Sequence, residues 1–198
     1  MIRVWGVMML GIAPYFVKQI VEYQVMTPGW FELSNGEISD FYYEFGRFSD
    51  GKALDAVGFS FLSAAKEYQL PYDIVYGTAY KGILIAMAMS TFAWNRDFFA
   101  RGRSHIPWCV ERKEVKSRNE SGVLIGANIT GKKILLVDDV GISFESLRKS
   151  VKIIQDYDVK SLSILIGVNR GPHTQVEGIP VHQIVTHAEV LELRRRFE

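Results

Sequence analysis

Apolar and polar positions change their period along this chain, and each change marks an element. From Ile12 to Tyr23 apolar side chains recur at three- and four-residue steps, with Phe16, Ile20 and Tyr23 on one face, which predicts an amphipathic helix. Phe31 to Leu33, the Asn-Gly turn signal at Ser34-Asn35-Gly36 and the aromatic run Ser39 to Phe45 predict a hairpin outside the main sheet. A second helical stripe, Leu54, Val57, Phe61, Leu62 and Ala65, spans Asp50 to Gln69 and closes at Pro71. Short apolar runs follow as strands at Ile74 to Tyr76, Ile106 to Val110, Lys133 to Val137, Ser161 to Val168 and Val181 to Val185. Between and after them the pattern turns helical at Ile83 to Phe92, Phe144 to Tyr157 and Glu189 to Phe197. The charged stretch Glu111 to Glu120 has no apolar period and predicts a long mobile loop.

Strands alternating with helices predict an α/β fold with a parallel sheet flanked by helices, whose ligand site lies at the strands' C-terminal ends. The 198 residues suit one domain, and six scattered prolines leave no linker composition that would divide it. A net charge of +1 removes the global electrostatic reason to expect nucleic acid or an anionic membrane as partner. The one cysteine, Cys109, forms no internal disulfide and fits a reducing cytoplasm. The apolar start, Val4 to Phe16, contains Pro14, lacks a small-residue cleavage site and is too short to span a bilayer. It reads as a segment that packs on the domain or on a partner subunit.

The sharpest chemical signal is Ile134 to Val140, an apolar run that closes on Asp138 and Asp139 and continues into Gly141, Ile142 and Ser143. Acids at that edge of a parallel sheet accept hydrogen bonds from a vicinal diol or hold Mg²⁺ through water. One acid alone would read as a strand end or helix cap. Two adjacent carboxylates repel each other, and a cationic or polyol partner explains them better than stability does. No G-x-x-x-x-G-K-[ST] run accompanies them, which argues against a P-loop nucleotide hydrolase. The turn Gly77-Thr78-Ala79-Tyr80-Lys81-Gly82, between a strand and a helix, offers backbone amides and one lysine to an anion, although alone it reads equally as an ordinary loop. Arg112, Lys113, Lys116 and Arg118 would repel one another unless solvent or an anion screened them.

With these segments in order, the chain resembles the type I phosphoribosyltransferases, and within them the orotate phosphoribosyltransferases. The similarity runs from Phe31 to Gly171 through Phe31 to Tyr43, Gly77 to Ile83, Arg112 to Lys116, Ile134 to Val140 and Asn169-Arg170-Gly171. The resemblance implies one catalytic domain over residues 1–198, with residues 1 to about 48 as a hood over the base. It implies Mg²⁺-dependent transfer of phosphoribose from 5-phosphoribosyl 1-pyrophosphate to orotate, giving orotidine 5′-phosphate and pyrophosphate. Tyr80, Lys81, Asp138, Asp139 and the run Val140, Gly141, Ile142, Ser143, Phe144, Glu145 and Ser146 would bind the donor. Arg112, Lys113, Lys116 and Arg118 would close over the diphosphate, across the interface of a homodimer. Ser34, Tyr42, Tyr43, Ile142 and Arg170 would receive orotate, with Arg170 on its carboxylate. Asp138, Asp139, Arg112, Lys113 and Lys116 would carry catalysis, and Mg²⁺ would be held mainly by substrate oxygens, with no direct protein ligand.

The chain also departs from that pattern. Ser34 stands where many relatives carry lysine, and Arg118 and Asn119 stand where histidine and glycine are common. After the acid pair, Phe144 falls at an expected glycine and Glu145 brings a negative charge to a phosphate turn. Either the turn follows another backbone path or donor affinity is weakened. A purine or other base acceptor, and a non-catalytic protein that binds the donor for regulation, remain as alternatives.

Overall fold

The computed structural model describes residues 11–33, 36, 38–96, 105–112 and 123–198. Helix α1 (Ile12–Glu22) leads into an antiparallel pair, β1 (Met26–Glu32) and β2 (Ile38–Tyr43), which stands apart from the main sheet. A short 3₁₀ turn at Phe45–Arg47 precedes α2 (Gly51–Glu67), β3 (Ile74–Gly77) and α3 (Lys81–Arg96). Then come β4 (Trp108–Glu111), β5 (Leu124–Gly126), β6 (Lys133–Gly141), α4 (Glu145–Gln155), β7 (Ser161–Asn169), β8 (Gln175–Val176), β9 (Ile179–Thr186) and α5 (His187–Leu193). Among the described residues the main sheet runs β5-β4-β3-β6-β7-β9-β8. Its five inner strands are parallel, and β5 and β8 close the two edges antiparallel.

Strand alternation sorts the core into two faces. Val75, Leu135, Val137, Leu165, Val168 and Val185 point toward a cluster that includes Phe16, Ile20, Phe61, Ile85 and Met89 from α1, α2 and α3. Their neighbours Ile74, Tyr76, Ile134, Leu136, Ile164 and Ile166 face Leu147, Val151 and Ile154 of α4. Each such aliphatic side chain contributes roughly 1.5–3 kcal/mol by leaving water. The expected helix at Asp50 is anchored by its cap: the Asp50 carboxylate accepts the Ala53 N–H at 2.8 Å.

Several boundaries differ from the sequence reading. Strand β6 continues through both acids to Gly141, because Val140 and Gly141 still pair with Val168 and Asn169 of β7. Helix α3 begins at Lys81 rather than Ile83, and α4 at Glu145 rather than Phe144. The hairpin's second strand stops at Tyr43, and Phe45 enters the 3₁₀ turn and the core. Glu111 closes β4 instead of opening the charged loop, and the edge strands β5 and β8 were not foreseen. Both are three residues or shorter, too brief to show an apolar period.

Helices α2 and α3 touch most closely at Gly58, where an added Cβ would lie 2.4 Å from the Ala88 carbonyl oxygen and 2.8 Å from Phe92 Cβ. Helix propensity alone favours Gly→Ala by about 1 kcal/mol. Overpacking costs about 1–3 kcal/mol and wins here, because the nearest obstacle is backbone. Gly58→Ala is therefore expected to lower unfolding free energy in urea. Gly51→Ala, where nothing lies within 4 Å of the new Cβ, is expected to leave it unchanged or raise it. A Gly58→Ala protein as stable as the parent would refute this packing.

Candidate active site

The edge at which the strands end is shaped by unequal strand lengths. Strand β3 stops opposite Val137, its last pairing being Gly77 with Val137, while β6 runs four residues further. The β3 side of Asp138 and Asp139 is thus left open, and the turn into α3 crosses it. That turn is tight. A Cβ on Gly77 would lie 2.3 Å from the Gly82 carbonyl oxygen, and one on Gly82 would lie 2.5 Å from the Val137 carbonyl oxygen. The Thr78 N–H donates to that Val137 oxygen at 3.2 Å, and the Ala79-Tyr80 peptide bond is cis. Tyr80 projects into solvent with 63% of its surface exposed.

Lys81, the first residue of α3, reaches back over the open edge. Its Nζ lies 3.4 Å from Asp139 Oδ2 and 3.7 Å from Glu44 Oε1, and it donates to the Tyr42 hydroxyl at 3.2 Å and the Tyr43 carbonyl at 3.3 Å. Burial disfavours the Lys81 charge, but Asp139, Tyr42 and Glu44 more than offset it and hold its pKa above the ordinary lysine value. The acids are buried unequally well. Asp138 is satisfied: its Oδ1 accepts the Asp139 N–H at 2.9 Å and its Oδ2 accepts the Ser146 hydroxyl at 2.7 Å. Asp139 is pushed up to about 7, first by burial and then by the Asp138 charge, with Lys81 only partly opposing them.

The turn after β6 settles how Phe144 occupies a glycine's place. Phe144 adopts φ 59°, ψ 24°, the left-handed conformation that glycine takes without strain. A bulky residue there costs about 1–2 kcal/mol. Its ring is only 2% exposed, packs 5.7 Å from the His173 ring and lies so close to Gly141 that a Cβ there would be 2.2 Å from the ring. Burial of about 1.5–3 kcal/mol outweighs the strain. The glycine-like path is kept by a side chain turned into the core. Glu145 points outward and pairs with Lys149 at 2.9 Å, which also lowers its pKa. The Arg148 guanidinium donates to the Ser143 carbonyl, closing the turn from the helix side.

Beyond the turn lies a cavity of about 460 Å³, bordered by Ile142 and Ser143, by Ser39 and Asp40 of β2, and by Arg170 and His187. Arg170 hangs from the end of β7, where its own N–H and that of Gly171 donate to the Gly141 carbonyl at 2.8 and 3.2 Å. The guanidinium donates to the Phe41 carbonyl at 2.9 Å and to the Ser39 hydroxyl. Among the described residues no carboxylate lies within ion-pair distance of it. A half-buried cation held by neutral acceptors at a cavity wall suits an anionic ligand.

Of the residues singled out from sequence, Lys81, Asp138, Asp139, Ser146 and Tyr42 converge on the open edge, and Ile142, Ser143 and Arg170 border the cavity beside it, whereas Tyr80 borders a groove between α2 and α3. Val140 is half-buried against the core, and Gly141 serves through its carbonyl. Tyr43 belongs to the core instead of the cavity wall: it is 3% exposed and bonds to His187. Arg112 follows β4, its N–H donating to the Val123 carbonyl at 2.8 Å. Ser34, Lys113, Lys116 and Arg118 lie outside the described residues. Sequence reasoning missed His187. The signal was present in Thr186-His187-Ala188-Glu189, a capping box in which the Thr186 hydroxyl accepts the Glu189 N–H and the Glu189 carboxylate accepts the Thr186 N–H, fixing the start of α5.

A mostly parallel sheet with a separate N-terminal hairpin, a tight glycine turn and an acid pair on its central strand defines the chain as a type I phosphoribosyltransferase. No family model matches it. The orotate phosphoribosyltransferase of Stutzerimonas stutzeri is 34% identical over 193 residues, covering 89% of this chain and 86% of its own length. That of Pseudomonas fluorescens Pf-5 is 33% identical over 189 residues, covering 89% and 86%. Among solved structures, the Francisella tularensis orotate phosphoribosyltransferase matches with TM-score 0.71 and 25% identity over 91% of this chain and 90% of its own. The chain belongs to the orotate phosphoribosyltransferase family, whose members are pentosyltransferases.

The raised Asp139 pKa sets the sign of a pH effect. Between about pH 4 and 7 the folded state holds a proton that the unfolded chain, near 3.8, has released, so Asp139 makes stability fall as pH rises through that window. Asp139→Asn removes the titration. Its unfolding free energy relative to the parent is expected to improve steadily from pH 4.5 to pH 8 in urea titrations; parallel profiles would show that Asp139 ionises normally.

Proposed function

We propose that the open edge and the adjoining cavity together form the active site for transfer of the phosphoribosyl group from 5-phosphoribosyl 1-pyrophosphate to orotate. The observation that carries this reading is Arg170, a guanidinium at a cavity wall with no acid within ion-pair distance among the described residues and with unused N–H donors for a planar carboxylate. The Asp138 and Asp139 carboxylates receive the ribose hydroxyls, and Lys81, at 3.4 Å from Asp139, meets the diphosphate. The amides of the glycine-like turn and the Ser143 hydroxyl receive the 5′-phosphate, while the Ser146 hydroxyl stays on Asp138. Ile142 lies against the base, and Tyr42 against the donor beside Lys81.

The reaction breaks the anomeric carbon–oxygen bond, pyrophosphate leaves as positive charge builds on the ribose ring, and a ring nitrogen of orotate closes on the same carbon. Catalysis needs positioning and neutralisation of the leaving diphosphate and no covalent nucleophile. Arg112, Lys113, Lys116 and Arg118 supply that neutralisation and exclude water. Two adjacent hard carboxylates at the strand end fit Mg²⁺ held through water, a cation that keeps most of its hydration and takes substrate phosphates alongside. Bound there with the diphosphate, Mg²⁺ would offset its charge; removing it with a chelator should stop turnover.

The same reading makes the enzyme a homodimer in which the Arg112 to Arg118 loop serves the neighbouring site. Tyr80, Met87 and Trp94 support it, exposed at seven-residue steps beside a groove of about 590 Å³ lined by Leu54, Ile83, Leu84 and Phe92. A buried, lone Cys109 with a thiol pushed up to about 11 by burial suits a reducing cytoplasm, and no helix among the described residues is long and apolar enough to cross a membrane.

The test is a kinetic comparison of the parent with Arg170→Leu, following orotate absorbance with Mg²⁺ and donor present. Arg170→Leu is expected to raise KM for orotate by about 10- to 100-fold, the loss of one charge-assisted pair, and to leave KM for the donor within about two-fold. A donor KM that rises equally would move Arg170 out of the acceptor site. Sedimentation of the active preparation should give a dimer; a fully active monomer would contradict the shared loop.

A further inference from the structure

Among the described residues, the cavity beside Arg170 has a second polar wall that the proposed reaction does not use. Strands β7 and β9 pair with Asn169 opposite Thr186, so the residues that follow, Arg170 and His187, leave the sheet side by side. The capping box at Thr186 and Glu189 holds the backbone of His187 in place, and the imidazole borders the cavity with Arg170, Ser39 and Asp40. Its Nδ1 lies 2.8 Å from the Tyr43 hydroxyl, and the two rings meet edge to face at 84°.

That single bond fixes the ring's tautomer. Tyr43 is 3% exposed, and no other acceptor for its hydroxyl proton lies within bonding distance among the described residues. If Nδ1 carried the imidazole proton and donated to Tyr43, the buried phenolic proton would be left without an acceptor, which costs about 1–3 kcal/mol. Tyr43 therefore donates to Nδ1, and the neutral ring carries its proton on Nε2. Charge does not disturb this arrangement: burial lowers the His187 pKa and Arg170 and Arg194 lower it further, with Asp40 opposing them. Burial also holds Tyr43 protonated far above neutral pH. Nε2–H has no partner among the described residues.

We propose that His187 is an acceptor-specificity residue, whose Nε2–H donates to an exocyclic carbonyl oxygen of the pyrimidine that Arg170 holds by its carboxylate. The inference rests on the acceptor reading given above. Arg170 alone recognises a carboxylate and would accept any planar acid that fits; a fixed neutral donor beside it asks for a carbonyl at one place on the ring. Rejection of an acceptor lacking that oxygen follows because a buried donor would be left unmatched. Tyr43 acts through His187 as a positioning residue and touches no substrate.

The experiment measures orotate turnover by the full-length enzyme and by His187→Leu, His187→Gln and Tyr43→Phe, with orotate analogues from which one ring carbonyl is deleted at a time. His187→Leu is expected to raise KM for orotate about ten-fold, with KM for 5-phosphoribosyl 1-pyrophosphate within two-fold and kcat within three-fold. One carbonyl-deleted analogue, disfavoured by the parent, should be used by His187→Leu about as well as orotate. His187→Gln, which keeps an N–H donor, should recover part of the loss, and Tyr43→Phe should show a smaller rise in orotate KM alone. Thermal melting of each variant confirms that it is folded. Unchanged orotate KM and unchanged analogue preference in folded His187→Leu would overturn the role of His187 while leaving the orotate reading intact. A parent enzyme that ignores orotate but turns over another base would overturn both.

Discussion

Two adjacent carboxylates held nine-tenths or more out of water on one strand set the terms for everything around them. Burial and mutual repulsion both disfavour their charge, and the structure answers each by a different route. Asp138 is satisfied by the next backbone N–H and by Ser146, which ties it to the first turn of α4. Asp139 has one cation among the described residues, Lys81, and remains raised to about 7. The geometry that lets Lys81 arrive is itself constrained: β3 must end four residues before β6, and the turn must double back so tightly that only glycine fits at positions 77 and 82. An edge built this way is preorganised for a ligand that brings hydroxyls to the acids and negative charge to the lysine. It is not the arrangement that stability alone would select.

From that edge the site extends along the sheet in register. The β6 and β7 pairing carries Gly141 beside Asn169, so the Gly141 carbonyl receives the amides of Arg170 and Gly171. The β7 and β9 pairing then carries Arg170 beside His187. The hairpin β1–β2 closes the cavity from above through Ser39 and the Phe41 carbonyl, both bonded to the Arg170 guanidinium. The acid pair, Arg170 and His187 are thus neighbours in space because three parallel strands end at successive positions, with no long loop needed to join them.

Much of this was legible in the sequence. The α/β alternation, the α2 stripe with its Asp50 start, the hairpin, the acid pair and the Lys81 turn follow from apolar period and residue chemistry, while Arg170 stands out only through the family resemblance. What escaped was decided by tertiary contacts. The acids lie within β6 because β7 continues to pair beyond them, and no local pattern reports the length of a partner strand. Tyr43 reads like Tyr42 in sequence, yet alternation along β2 turns it inward to the core and His187. Phe144 breaks the expected small-residue turn, and only its burial against Gly141 and Ile166 shows that the glycine-like path survives the substitution. His187 was concealed as the second residue of a capping box that marks a helix start and carries no chemical signature of its own.

The acid pair, as proposed above, is kept for the donor. Calorimetric titration of the full chain with 5-phosphoribosyl 1-pyrophosphate and Mg²⁺, set against the Asp138→Asn/Asp139→Asn double variant, tests that claim without requiring turnover. Saturable binding by the parent, lost or weakened at least ten-fold in a double variant that melts no earlier at pH 8, is the predicted result. Equal affinity in the two proteins would mean that the donor is held elsewhere and would remove the acid pair from the active site.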